Sequence, residues 1–161
     1  MEACSAAQPQ RKRVVVLEPD GNLRALLAGW LAEAQLEVVA PAGRFEVEAT
    51  LVNGEPPRAI VADLDFPVIA GVDMVASLPT LAKDTPVVGL CGLPAGQEPD
   101  WVNVAGLVPK PFYLDELVQV VREALKRGPS AGAAAPRPLV SLDAYRARQH
   151  HDSRGSLAGP R

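Results

Sequence analysis

Short apolar runs alternate with stretches of helical period over most of this chain. "VVVLE" is apolar up to Leu17 and then meets Glu18, Pro19 and Asp20, the mark of a buried strand leaving a core for a polar rim. Next, "NLRALLAGWLAEAQ" sets Leu23, Leu26, Leu27, Trp30 and Leu31 at the i, i+3, i+4, i+7, i+8 spacing of a buried helix face. "LEVVA" reads as a second strand, followed by a weaker helical segment from Phe45 to Val52 and a turn at "NGEPP". The third strand, "AIVAD", ends in Asp63. A short helix is expected after Gly71, limited by Pro79. Then come the strand "TPVVGLC", a proline-broken stretch and the strand "GLVP". The last helix, "YLDELVQVVREALKR", is expected to bury Leu114, Leu117, Val118, Val121 and Leu125.

Five strands alternating with helices predict an α/β fold with a mainly parallel sheet. Right-handed crossovers bring the carboxyl ends of such strands to one edge, where these folds place their sites. Glu18, Asp63, Cys91 and Lys110 each end or directly follow a predicted strand, so they are expected to share one rim.

Composition changes the picture mainly at the ends. Residues 129–161 are rich in Pro, Ala, Gly, Ser and Arg without a sustained period, and are expected to form a disordered tail. Within it, "PLVSLDAYRARQ" gathers Leu139, Val140, Leu142 and Tyr145. Residues 1–11 read as a flexible flank with no apolar segment of a secretion signal. The net charge of −3 over 161 residues gives no reason to expect nucleic acid or an anionic membrane as partner. No apolar run approaches the ~20 residues needed to span a bilayer. Cys4 and Cys91 form no spaced framework, which suits a reducing, cytoplasmic compartment. The adjacent His150 and His151 do not by themselves make a metal site.

The motifs at the strand ends resemble the receiver domain of bacterial two-component response regulators, over about residues 12–127 and with a domain expected at 12–128. "VVVLEPDGNLR" matches the acidic end of that family's first strand, and "AIVADLDFPVIAG" its phosphoacceptor segment, with Pro67 and Gly71 four and eight residues after the aspartate. "KDTPVVGLCG" matches the strand that normally ends in Ser or Thr, and "LVPKPFYLDEL" carries the Lys-Pro-Phe before the last helix. The resemblance implies a doubly wound, flavodoxin-like sheet of five parallel strands in the order 2-1-3-4-5. In that order the strand with Pro109 lies at an edge, where a proline is tolerated.

The same resemblance implies roles. Asp63 is the phosphoacceptor, Lys110 the phosphate contact, and the Lys110–Pro111 bond is often cis in this family. Glu18, Asp63 and the backbone carbonyl of Asp65 are the implied Mg²⁺ ligands. The chain departs from the pattern at three places. Pro19 stands where a second metal-binding acid is expected, which weakens any Mg²⁺ site. Asp20 is a candidate substitute ligand, but its place just before a helix favours an N-cap. Cys91 replaces the switch Ser or Thr, as a redox-sensitive thiol or a small buried hydrophobe, and Leu107 replaces the aromatic switch residue. Pro94 and Pro99 interrupt the expected fourth helix, with Trp101 covering that face.

Two readings follow from the resemblance, neither of them an enzyme. One is a stand-alone receiver that takes a phosphoryl group on Asp63 from a sensor histidine kinase or a phosphotransfer protein and passes the signal to a downstream protein. The other is an atypical receiver that signals by contact alone, with a homodimer through the last helix as a candidate. "IVADLDFP" also resembles the first motif of haloacid dehalogenase-type phosphatases, with Asp63 as nucleophile and Asp65 as acid and base. That family needs a further strand with acidic ligands beyond the lysine, and no strand is predicted there. A flavodoxin-type binding domain lacks its Gly-rich phosphate loop after the first strand.

Overall fold

The structure, a computed structural model, describes residues 11–81, 84–92 and 104–127. The expected fourth helix with Trp101, the amino-terminal flank up to residue 10 and the tail lie outside the described residues.

Strands β1 (Arg13–Leu17), β2 (Glu37–Val39), β3 (Ala59–Asp63), β6 (Val87–Cys91) and β7 (Val104–Pro109) form one sheet in the order β2-β1-β3-β6-β7. All four pairings are parallel, so every strand ends at the same edge. This is the expected order, and β7 with its Pro109 lies at the sheet edge.

Side-chain alternation along the strands feeds two cores. Val14, Val16, Ala59, Val61, Val88 and Leu90 face one cluster, covered by α1 (Gly21–Glu33) and α4 (Leu114–Arg127). Val15, Leu17, Ile60, Ala62, Val87 and Cys91 face the other, covered by α2 (Arg44–Leu51) and α3 (Met74–Leu81). Because both faces are covered, β1 and β3 are almost wholly buried, which explains their unbroken apolar runs.

Several expectations shift in detail. Leu27 and Leu31 sit at the centre of the buried face of α1, with Leu23 and Trp30 packed at its flanks. Leu26 lies a quarter turn away and is 46% exposed. On α4, Leu117, Val121 and Leu125 are buried as expected, together with Val120 and Ala124, while Leu114 and Val118 are only half-buried. Pro79 does not limit α3 but lies inside it. So near the carboxyl end it removes a single helical N–H donor. Before α3 the chain forms a hairpin that the sequence did not announce, β4 (Val68–Ile69) against β5 (Val72–Asp73). Its turn residues Ala70 and Gly71 have φ of 52° and 74°, the mirror-image turn that suits strand twist. The Asp73 carboxylate then accepts from the Ala76 N–H at 3.0 Å and anchors the start of α3.

Candidate functional site

Four strand ends build the site. Asp63 is the last residue of β3, Cys91 the last of β6, and Glu18 and Lys110 directly follow β1 and β7. Pairing of β6 with β7 continues to the rim, where the Lys110 N–H donates to the Cys91 carbonyl at 2.8 Å. That register carries the Lys110 side chain inward. Its Nζ lies 2.6 Å from Asp63 Oδ2 and 3.0 Å from Asp65 Oδ2. The Phe66 ring covers the ammonium, with Nζ 6.0 Å from its centroid. The Lys110–Pro111 peptide is cis.

Asp63 is only 1% exposed, and its Oδ1 accepts from the Asp65 N–H at 3.0 Å. Glu18 is 2% exposed, and its Oε1 accepts from the Asp20 N–H at 2.9 Å. Its second oxygen, Oε2, is buried and has no hydrogen-bond partner among the described residues. Burial raises the Glu18 pKa above the ordinary value; the Asp20 N–H opposes this, and the nearby Asp63 charge adds to it. Burial works against the charge of Lys110, but the Asp63 and Asp65 carboxylates outweigh it and hold its pKa above the usual range. Burial likewise works against an ionised Asp65. The Gly92 N–H, the Lys110 ammonium and, more weakly, the Cys91 thiol overcome it and hold Asp65 below the usual carboxylate range.

The turn after β1 is fixed from within the chain. Asp20 Oδ1 accepts from the Leu23 N–H at 2.8 Å and caps α1. Arg24 Nη1 donates to the Glu18 carbonyl at 2.9 Å and to that of Pro19 at 3.4 Å. Cys91 is buried among apolar neighbours, and Leu107 belongs to the same core. Leu64 and Leu107 close over Gly89, where an added Cβ would lie 2.4 Å from a Leu64 methyl.

A divalent cation is the group the resemblance implies here. The buried, unpartnered Glu18 Oε2 beside a second carboxylate is an acceptor pair that a cation would satisfy. Mg²⁺ commonly uses one or two carboxylates and keeps several waters, so Glu18 and Asp63 fit such an ion. Among the described residues no group of three His, Cys, Asp or Glu is arranged to hold a metal. The fit is therefore to a largely hydrated ion, as the side chain of Pro19 offers no ligand.

Sequence reasoning placed Glu18, Asp63, Cys91 and Lys110 on one rim, and the structure brings them together. It missed the side chain of Asp65 as a partner of Lys110, and it missed Gly92. That N–H meets both Asp65 oxygens at 2.9 Å. The available signal was an acid two residues after Asp63 and a glycine directly after Cys91.

No family model matches the chain. Among curated proteins it is 33% identical over 135 residues to the transcriptional regulatory protein PrrA of Mycobacterium bovis, covering 80% of this chain and 56% of that protein. It is 35% identical over 135 residues to the transcriptional regulatory protein TcrA of Mycobacterium tuberculosis, with 78% and 49% covered. Against the response regulator MprA of Mycolicibacterium vanbaalenii it is 30% identical over 140 residues, with 81% and 58% covered. The chain thus spans about half the length of the curated relatives it matches. Among solved structures, the chemotaxis response regulator CheY4 of Vibrio cholerae superposes with a TM-score of 0.59 at 22% identity, over 71% of this chain and 99% of that one. A CheY-like receiver domain protein of Methanospirillum hungatei gives 0.62 at 16% identity, over 73% and 96%. At these identities the two structures speak for the fold. The sheet order, the acid-lysine rim and the sequence relatives together mark this domain as a receiver domain similar to those of response regulators.

Proposed function

We propose that the domain receives a phosphoryl group on Asp63 from a phosphohistidine donor, a sensor histidine kinase or a phosphotransfer protein, and passes the signal to a protein target. The observation that carries this reading is the buried Asp63 carboxylate, with the Lys110 ammonium 2.6 Å away at the exit of the central strand. In the transfer, an Asp63 oxygen attacks phosphorus. The new O–P bond forms as the bond from phosphorus to the donor nitrogen breaks, and that electron pair leaves with the donor. Little covalent work falls to the protein; its task is positioning and charge neutralisation. Lys110, held protonated between two carboxylates, supplies one positive charge. Bound Mg²⁺, held by Glu18, Asp63 and the Asp65 carbonyl, would supply the charge that gathers carboxylate and phosphoryl oxygens.

Incubation with acetyl phosphate and Mg²⁺ tests this reading by intact mass. The expected result is a gain of one phosphoryl mass, lost in Asp63→Asn and reduced by a chelator. A folded protein that gains nothing sinks it.

A second reading, signalling by protein contact without phosphorylation, is favoured by the residues in the two switch positions. Cys91 is 2% exposed and Leu107 is 8% exposed, both built into the core. In place of a hydroxyl and a mobile aromatic they offer a weak donor and a fixed aliphatic side chain. Among the described residues no helix is long and apolar enough to cross a membrane.

A further inference from the structure

We propose that the Asp65 carboxylate occupies the phosphoryl seat of this site, as an internal anion that holds the donors a phosphoryl group on Asp63 would need. The inference rests on Asp63 being the acceptor, and adds what an incoming phosphoryl group must displace.

A phosphoryl group on Asp63 would bring non-bridging oxygens that need a cation and N–H donors. Two such donors face the end of β3, the Gly92 N–H after the adjacent strand β6 and Lys110 Nζ after β7 beyond it. Both are already engaged by Asp65. Its Oδ2 lies 3.0 Å from Nζ, and the Gly92 N–H meets both oxygens at 2.9 Å. The same ammonium lies 2.6 Å from Asp63 Oδ2, so two anions share one cation.

Two further details show that this contact is built into the chain. A Cβ at residue 92 would fall 3.1 Å from Asp65 Oδ2, tighter than ordinary carbon contacts, so glycine is what lets the carboxylate come this close. The Asp65 N–H donates to Asp63 Oδ1 at 3.0 Å, which ties the competitor to the acceptor two residues away. An incoming phosphoryl group meets a like charge where its own oxygens belong. Asp65 must first turn outward, and its side chain is 23% exposed, so solvent lies on that side.

Asp65→Ala empties the seat, and Asp65→Asn keeps the shape while removing the charge. One readout needs no chemistry at Asp63, the backbone amide resonance of Gly92 during titration with inorganic phosphate. The wild-type amide is expected to respond weakly, and that of Asp65→Ala to shift saturably with an affinity on the order of tenfold tighter. Asp65→Asn is expected to move in the same direction, and it answers the question if the alanine variant fails to fold. The second readout is labelling by acetyl phosphate with Mg²⁺, in which an Asp63 oxygen displaces acetate from phosphorus. Removal of Asp65 is expected to speed it on the order of tenfold, and Asp63→Asn in the same background to abolish it. If the Gly92 amide responds equally in the wild type and in the folded variants, the proposal is overturned. Tighter phosphate binding without labelling leaves the seat assigned and overturns Asp63 as acceptor.

Discussion

At the residue scale the site is a balance of three carboxylates around one ammonium, and Glu18 is its least satisfied member. Its raised pKa means that the folded state binds a proton more readily than the unfolded chain, whose ordinary value is 4.5. Stability from this residue therefore falls as pH climbs from 4.5 to the raised value, and the deficit is complete above it. Glu18→Gln keeps the acceptor for the Asp20 N–H and turns the second atom into a donor toward Asp63. In chelator, the variant is expected to unfold at higher urea than the wild type, by roughly 1 kcal/mol near neutral pH, with the advantage gone below the unfolded value. An advantage independent of pH would mean that Glu18 is not the titrating cause. Asp65 carries the opposite sign. Its depressed pKa contributes stability above the ordinary 3.8 that is lost as the solution is acidified. Gly89 shows a different constraint, since a methyl there meets Leu64 and Leu107 inside the core. Gly89→Ala is expected to cost about 1–3 kcal/mol in urea melts; a neutral result would show that Leu64 moves aside freely.

At the element scale, legibility followed periodicity. α1 and α4 were readable because one apolar face recurs over three or more turns, and the strands because burial on both faces leaves unbroken apolar runs. The β4–β5 hairpin was not, because Ala70 adopts a left-handed conformation that alanine seldom announces. Pro79 misled for a related reason. A helix stop and a helix interior near the carboxyl end differ by one missing N–H. The end of α1 supplies a test of local backbone energetics. The Leu36 N–H bonds to the Leu31 carbonyl and the Gln35 N–H to that of Ala32, a Schellman closure with Gln35 at φ 66°. That conformation favours glycine, and among the described residues the Gln35 side chain gives in return only an exposed bond from Arg11 at 3.3 Å. Gln35→Gly is therefore expected to stabilise the domain by about 0.5–1 kcal/mol in urea, while Gln35→Ala gains nothing. Equal effects of the two would assign the change to the lost side chain instead of the backbone.

At the scale of the whole molecule, the sequence disclosed which residues reach the rim because parallel strands joined by right-handed crossovers all end at one edge, while their order came from the family resemblance. The finer arrangement was hidden, since which carboxylate takes Lys110 depends on side-chain torsions that no spacing encodes. Asp63 and Lys110 are 47 positions apart and meet only because β6 lies between β3 and β7 in register. Their contact therefore reports on the assembled sheet. Removing the ammonium by Lys110→Met leaves Asp63 buried near Glu18, with like charges facing each other and no nearby ammonium. The lysine side chain is 24% exposed, so water softens the loss. An expected cost of about 2–3 kcal/mol near neutral pH reflects that screening, against the larger penalty of a fully dry pair. Adding Asp63→Asn removes the stranded charge and is expected to recover about half of the loss, a coupling that a double-mutant cycle in urea measures directly. Costs that simply add would mean that Lys110 stabilises the fold by packing its stem against Phe66 and the edge strand, with the pairing to Asp63 contributing to chemistry alone.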